Sequence, residues 1–306
     1  MPALTFIINP VSGHPWSLQK RRILKALRGC PPEHAEILET ENATQARVWA
    51  KQRADDPNHV VVAVGGDGTV HEVASALVGA KASLGILPVG SGNDFASMLT
   101  HPFDHTEYSS QAFIAYFQGA PRACVDVGQI SLKEASGATH QHVFVNSMGL
   151  GIEGAVAGTV QQLRSIKGVM RYLLAALWQV FRYRPIEMRL SEGETRPRLL
   201  VSIGNGRRAG GGFLLQPDAD IQDGQLDACW ADDLSLWQQI KILPTVFWGG
   251  HTQFEGIHQT QFGQMTVHAI PGTAVHVDGE WVSSHATEIN IQILPRALKV
   301  VGMSEV

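Results

Sequence analysis

The chain has 306 residues, 24 Lys+Arg against 28 Asp+Glu and a formal net charge of −4. Hydrophobic residues are 44% of the chain, which excludes global disorder, and the slightly acidic balance excludes a general nucleic-acid binder. The length suits one large or two medium domains. Cys30, Cys124 and Cys229 are far apart and odd in number, which argues against a disulfide framework or a zinc site and for free thiols. No basic n-region opens the chain, and the longest near-apolar run, Tyr172 to Phe181, is too short to span a bilayer. A cytoplasmic protein is expected, with peripheral contact at the inner membrane face left open.

In chain order, Leu4–Ile8 reads as a strand and Ser17–Arg28 as a helix with Gly29 at its C-cap. His34–Leu38 is a second strand. Asn42 with Gln45 resembles a capping box that opens a helix through Arg53. Val60–Val64 suits a parallel strand buried on both faces, followed by a helix over Thr69–Val78. Leu84–Leu87 is another strand, and Ser110–Gln118 a helix. This alternation predicts an α/β domain with a mostly parallel sheet. After about residue 123 the rhythm changes. Ala123–Ile130, His142–Ser147, Leu199–Ile203, Gln225–Ala231, Ala274–Asp278 and Glu288–Leu294 read as strands of an antiparallel sandwich or barrel, with a long helix inserted over Thr159–Arg182. The expected division is therefore α/β plus all-β. A three-layer α/β domain spans 1–123, completed by 296–306 through the run Ala297–Val301, and a β-sandwich domain spans 124–295.

Of the 31 glycines, several cluster at expected strand ends. Gly65-Gly66-Asp67-Gly68-Thr69 lies between a buried strand and a helix, where clustered glycines can turn backbone N–H groups and a helix N-terminus toward one anion. Asp67 suits such a site if a divalent cation intervenes; otherwise it caps a strand-to-helix turn. Gly90-Ser91-Gly92-Asn93-Asp94-Phe95 follows the next strand and is expected to open a helix at the same sheet edge. Asn9-Pro10-Val11-Ser12-Gly13 and Thr40 fall at that edge too, as site residues or as ordinary turn residues. Far downstream, Asp278 stands beside Gly279 at a strand end, with His276 on its side and Glu280 able to join it. A carboxylate there can accept a proton from a hydroxyl, or simply belong to an Asp-Gly turn.

These motifs, in this order, resemble the diacylglycerol kinase catalytic domain family, which includes sphingosine and ceramide kinases and bacterial lipid kinases. Gly210-Gly211-Gly212, Pro217, Asp223-Gly224, Leu226-Asp227 and Asp278-Gly279-Glu280 extend the resemblance over nearly the whole chain. It implies transfer of the γ-phosphoryl of ATP, with Mg²⁺, to a lipid hydroxyl such as that of diacylglycerol. It also implies nucleotide contacts from Gly65, Gly66, Asp67, Gly68 and Thr69, with Val70 and His71 at the edge and Thr40 and Ser91 nearby. Asn9, Gly92 and Asn93 complete the expected nucleotide set. Asp278 matches the proton acceptor, with Asp67 and Glu280 as the other catalytic candidates. Asp220, Asp223 and Gln225 match a metal-holding loop, two of them through backbone carbonyls.

Six acids and no base lie between Arg208 and Lys241, a cluster that either faces water or neutralises a cation. The window Val160–Arg208 carries ten bases and three acids, net +7, around an apolar stripe of Leu163, Ile166, Met170, Leu173, Leu177 and Val180. That stripe either packs on the sheet or meets an anionic membrane, beginning with Arg164, Lys167 and Arg171. Asp126 and Asn146 are headgroup candidates, or structural hydrogen-bonders. Two alternatives accompany the lipid kinase reading: a soluble-metabolite kinase of the NAD kinase type, and a non-catalytic nucleotide- or lipid-binding protein.

Overall fold

The structure, a computed structural model, describes residues 3–14, 17–99, 108–163, 169–191 and 193–304, apart from the side chains of 43 and 169. The chain divides into two compact units, one of residues 1–125 with 296–306 and one of 126–295.

In the first unit, β1 (Leu4–Ile8), α1 (Leu18–Arg28), β2 (Glu36–Glu39), α2 (Ala43–Lys51), β3 (Val60–Gly65), α3 (Asp67–Leu77), β4 (Ser83–Pro88) and α4 (Ser110–Gly119) alternate as expected. The sheet order is β2–β1–β3–β4, and the final strand of the chain adds Val300 opposite Leu84; all these pairings are parallel. β1 and β3 are buried along their whole length, because helices cover both faces of a parallel sheet. Phe6, Phe113 and Phe117 fill one side of that core. Caps fix the helix starts. Ser17 accepts from the Lys20 N–H and Asn42 from the Gln45 N–H, while the Gln45 side chain accepts from Glu41 rather than from Asn42. The Gly90 loop leads into a single 3₁₀ turn, Ala96–Met98, not an α-helix. Asn93 is the cause: its backbone is left-handed, φ 58°, and its side chain closes back onto Gly90.

The second unit follows with β5 (Arg122–Glu134), β6 (Thr139–Phe144), β7 (Ser147–Gly151), α5 (Ile152–Gln162), α6 (Val169–Arg182), β8 (Ile186–Leu190), β9 (Arg196–Gly204), β10 (Leu226–Asp232), α7 (Leu236–Ile242), β11 (Ile257–Phe262), β12 (Gln264–Ala269), β13 (Val275–Val277), β14 (Glu280–Ser283) and β15 (Ala286–Val301). β9 is central, flanked antiparallel by β7, β8 and β10. β13 joins β7 to β14, and β12 joins β8 to β15. Met148, Val201, Ile203, Leu226, Val267, Val275, Ile289 and Ile291 form its main core.

Three expectations shift here. The run read as one strand over His142–Ser147 is a corner between β6 and β7, because the N–H groups of Val145, Asn146 and Ser147 turn to a side chain instead of a ladder. The two runs around Pro295 are one continuous strand, β15, which passes from the second unit into the first. The stretch Thr159–Arg182 holds the end of α5 and all of α6; Arg164, Ile166 and Lys167 lie outside the described residues.

Candidate active site

The carboxyl ends of β1, β3 and β4 bring three loops together in the first unit. Gly13, at φ 70°, meets the Val89 carbonyl so closely that any Cβ would overlap it. A Cβ on Gly66 would lie 3.0 Å from Gly90 Cα and 3.2 Å from Ser12 Oγ, and one on Gly90 would overlap Gly66. Glycine is thus required because backbones touch; the Ser12 N–H donates to the Asn9 carbonyl and the Gly90 N–H to the Gly65 carbonyl and Asn93 Oδ1, so the loops are also braced from within. α3 begins at Gly66 with no side chain capping its first turn, an arrangement suited to an anionic phosphate.

Polar contacts tie the loops to one another. Asp67 Oδ2 accepts the Asn93 N–H at 2.9 Å and Oδ1 accepts the Asp94 N–H at 2.7 Å. Asp67 therefore clamps the Gly65–Thr69 loop to the Gly90–Phe95 loop, a role invisible in the motif. Carboxylate oxygens are the donor type that suits a hard divalent cation. The Asn9 side chain donates to Thr69 Oγ1 at 3.1 Å. Thr40 donates its hydroxyl to the Ile8 carbonyl at 3.2 Å. Val70 and His71 are buried on α3, Gly68 and Ser91 are exposed, and Gly92 is half-buried. Lys20 was not singled out from sequence. Its buried ammonium grips the carbonyls of Pro10 and Ser12, fixing the first loop and placing a positive charge beneath it. A helical Lys one turn after a Ser cap carried no signal of that reach.

In the second unit, Asp278 and Gly279 are the two central residues of the β13–β14 hairpin, at φ 47° and 82°. Left-handed conformation at both positions is what an Asp-Gly two-residue turn supplies. The Asp278 carboxylate is held by three backbone donors, the N–H groups of Val145 at Oδ2 and of Asn146 and Ser147 at Oδ1, each 3.0 Å away. The corner that provides them is braced in turn. Asn205 Nδ2 donates to the Asp126 and Val145 carbonyls at 2.8 Å, and the Asn205 and Gly206 N–H groups donate to the Asn146 carbonyl. The Asn146 side chain donates to the Arg208 carbonyl, leaving its buried Oδ1 without a partner. Asn205 too was missed, since a lone Asn between glycines reads as a turn.

Glu280 does not join Asp278: it pairs opposite Val277, is exposed, and makes no hydrogen bond or ion pair among the described residues. Behind the turn, buried His276 accepts the Gly279 N–H at Nδ1, 3.3 Å, and its Nε2 lies 3.0 Å from Glu153 Oε1. Gly149 makes room for that pair, since a Cβ there would collide with both side chains.

The Asp220–Gln225 loop is a different case. Asp220 and Asp223 each accept the N–H two residues on, Gln222 at 3.0 Å and Gln225 at 2.9 Å, and all three expected ligand residues are exposed. Asp126 is fully buried and accepts the Gly224 N–H, so its role is to anchor this loop. Among the described residues no three His, Cys, Asp or Glu side chains converge as a metal site. Burial pushes the Asp227 carboxyl up to about 6; the Gln261 hydrogen bond works against this, and nearby Asp223, Asp218 and Asp220 add to it.

The second unit also holds an apolar pocket of about 100 Å³, partly open to solvent. Its floor includes Leu199 and Cys229 of the sheet; its roof includes Val180 of α6, Ile242 of α7 and Val246. Burial pushes the Cys229 thiol up to about 12. No described helix is long and apolar enough to cross a membrane.

Comparison with known proteins agrees with this geometry. Residues 3–129 match the diacylglycerol kinase catalytic domain, and residues 146–302 match the YegS C-terminal NAD kinase beta sandwich-like domain. A Mycobacterium tuberculosis protein named diacylglycerol kinase is 29% identical over 304 residues, covering 97% of this chain and 94% of its own. A Pseudomonas aeruginosa protein named "Probable lipid kinase YegS-like" is 32% identical, covering 78% and 75%. A crystal structure described as that of a diacylglycerol kinase from Bacillus anthracis str. Sterne shares the fold at a TM-score of 0.65 and 19% identity, covering 98% of this chain and 96% of that one. With catalytic-domain and sandwich models matched in sequence order, the chain belongs to the diacylglycerol kinase family of lipid kinases, in its YegS-like form.

Proposed function

We propose that this lipid kinase transfers the γ-phosphoryl of ATP to the hydroxyl of diacylglycerol or a closely related acyl lipid. The observation that carries the proposal is the meeting of three glycine loops at the carboxyl edge of one parallel sheet, tied by Asp67. Phosphoryl transfer depends chiefly on positioning and charge neutralisation. The N–H groups of Gly13, of Gly66 to Gly68 and of Ser91 would bind the phosphates, with Asn9, Thr40 and Gly92 at the rim and Val70 and His71 supporting α3. The Asp67 carboxylate, at the junction of two of these loops, is where Mg²⁺ would be held, and that ion supplies neutralisation of phosphate charge when bound.

Asp278 accepts the proton of the lipid hydroxyl. Three backbone donors fix its plane, which positions the carboxylate for that transfer. The unpartnered Asn146 Oδ1, on the next residue of the same corner, can accept from a second headgroup hydroxyl. Exposed Glu280 contributes negative charge at the turn rather than a contact to Asp278. The apolar cavity takes an acyl chain. The Asp220–Gln225 loop holds a divalent cation through carbonyl oxygens and the unused carboxylate lone pairs, which would relieve the crowding around Asp227. Peripheral contact with an anionic membrane belongs to this reading, because the substrate resides there.

Incubation with γ-labelled ATP, magnesium and a panel of detergent-dispersed lipids tests it, with NAD⁺ in a parallel reaction. Label in a lipid product is expected. Label in NAD⁺ alone would establish the soluble-metabolite alternative, and ATP binding without turnover the non-catalytic one.

A further inference from the structure

We infer that the outer layer of the second unit, built from α6, α7 and the Leu243–Phe247 turn, is a docking face for an anionic lipid bilayer. The inference rests on the lipid kinase reading for its purpose, not for its geometry. On α6 the solvent-facing stripe is Met170, Leu174, Leu177, Trp178 and Phe181, at helical spacing and all exposed. It shares Met170 and Leu177 with the stripe read from sequence and differs in the rest. Val180 is buried and Leu173 half-buried, so those residues hold the helix on the sheet, and a second apolar stripe faces water. A helix packed in a soluble protein normally turns polar residues outward.

The same pattern continues in the next elements. α7 touches α6 and exposes Leu236, Ile240 and Trp237, the last 74% exposed; the turn after it ends at Trp248, 64% exposed. Three exposed tryptophans in one layer suit the headgroup boundary, where an amphipathic ring keeps one edge wet.

Charge selects the occupant. Residues 169–184 and 234–254 contain Arg171, Arg182, Arg184 and Lys241 and no Asp or Glu, in a protein of net charge −4. Arg182 lies over the Trp178 ring, 5.2 Å from its centroid, so a cation and an aromatic share one spot. Anionic headgroups complement that set. The layer also lines the apolar pocket through Val180, Ile242 and Val246. Its inner edge reaches the catalytic turn, since a Cβ on Gly279 would lie 3.6 Å from the Tyr172 hydroxyl of α6. A face that is apolar, basic, aromatic and continuous with an apolar pocket fits a bilayer better than a protein partner.

The test uses the full chain and a Trp237→Ala/Trp248→Ala variant, whose side chains are exposed enough to spare the fold. Sedimentation with vesicles of phosphatidylcholine, alone or mixed with phosphatidylglycerol, reads binding; light scattering reads oligomeric state; labelling of diacylglycerol in detergent micelles reads activity. The wild type should bind the mixed vesicles in a salt-sensitive way, and the variant about tenfold or more weakly. Lys241→Glu should weaken binding to the mixed vesicles alone. Equal vesicle binding by variant and wild type would overturn the inference, as would a wild-type dimer that the two substitutions dissociate, which assigns the face to a second copy. Tryptophan-dependent vesicle binding supports the docking face even with no lipid labelled; that last result would remove the kinase reading instead.

Discussion

Replacing Asp278 by Asn separates the carboxylate from its surroundings. Asn tolerates the left-handed backbone at φ 47°, and Asn-Gly supports the same two-residue turn, so the hairpin should keep its shape. The side chain, however, now has one acceptor oxygen in place of two. With that oxygen at the Oδ1 position it keeps the Asn146 and Ser147 N–H groups and turns an amide NH₂ toward the Val145 N–H, two donors facing each other. One charge-assisted bond is lost and one buried donor is left unpaired, a cost of about 2 to 3 kcal/mol. In a domain of this size that lowers Tm by about 5 to 10 °C. Turnover should fall by about 10²–10⁴-fold, the usual worth of a positioned general base. Differential scanning fluorimetry and label transfer from ATP measure the two effects separately, and ATP affinity should stay unchanged because the phosphate loops belong to the other unit. Near-normal turnover would refute the role as proton acceptor. An unchanged Tm would refute the three-donor grip.

Gly90→Ala should raise the KM for ATP about tenfold or more and cost about 1 to 3 kcal/mol of stability, because the new methyl overlaps the Gly66 backbone; unchanged ATP kinetics would mean the loops do not form one cradle. His276→Ala leaves the half-buried Glu153 without its hydrogen-bond partner and should cost about 1 to 3 kcal/mol, whereas the double change with Glu153→Gln should recover part of that loss in a melting experiment. Asp227 titrates at about 6 in the folded chain against 3.8 when free, so the folded state binds more protons between those values and stability falls as pH rises through them. The full shift corresponds to about 3 kcal/mol, and partial exposure reduces it to about 1. Asp227→Asn should therefore raise Tm at pH 7.5 but not at pH 4, and added Mg²⁺ should raise the wild type's Tm more at the higher pH. His251 acts in the opposite sense: burial lowers its pKa, the unfolded chain binds the extra proton, and stability is lost as pH falls below about 6.5. His251→Gln should flatten that acid limb of a pH-dependent melting series.

The parallel unit was legible because β1 and β3 are short, nearly all-apolar runs and α1 and α2 carry side-chain caps at Ser17 and Asn42. The glycine motifs could be placed at one sheet edge by topology alone. What stayed hidden was set by contacts distant in sequence. Asp67 reads as a ligand in its motif, yet its oxygens accept from residues 26 and 27 positions away. Val145 to Ser147 read as strand because nothing local shows that a carboxylate more than 130 residues later takes their N–H groups. The strands β8, β11, β12 and β14 escaped notice since their polar residues blur the alternation, as in Ile257–Phe262, where only the two ends are apolar. For α6 the sequence left the facing of its stripe open, and the structure splits it, with Val180 buried and Met170 and Leu177 exposed, because apolar residues occupy more than one side of the helix.

The central claim is that the loops after β1, β3 and β4 act as one phosphate-binding surface. A backbone amide NMR titration with magnesium and a non-hydrolysable ATP analogue tests it most directly. The N–H signals of Ser12, Gly13, Gly66, Gly68, Gly90 and Ser91 should shift together along one saturation curve. Shifts confined to a single loop, or centred on residues of 126–295, would contradict it.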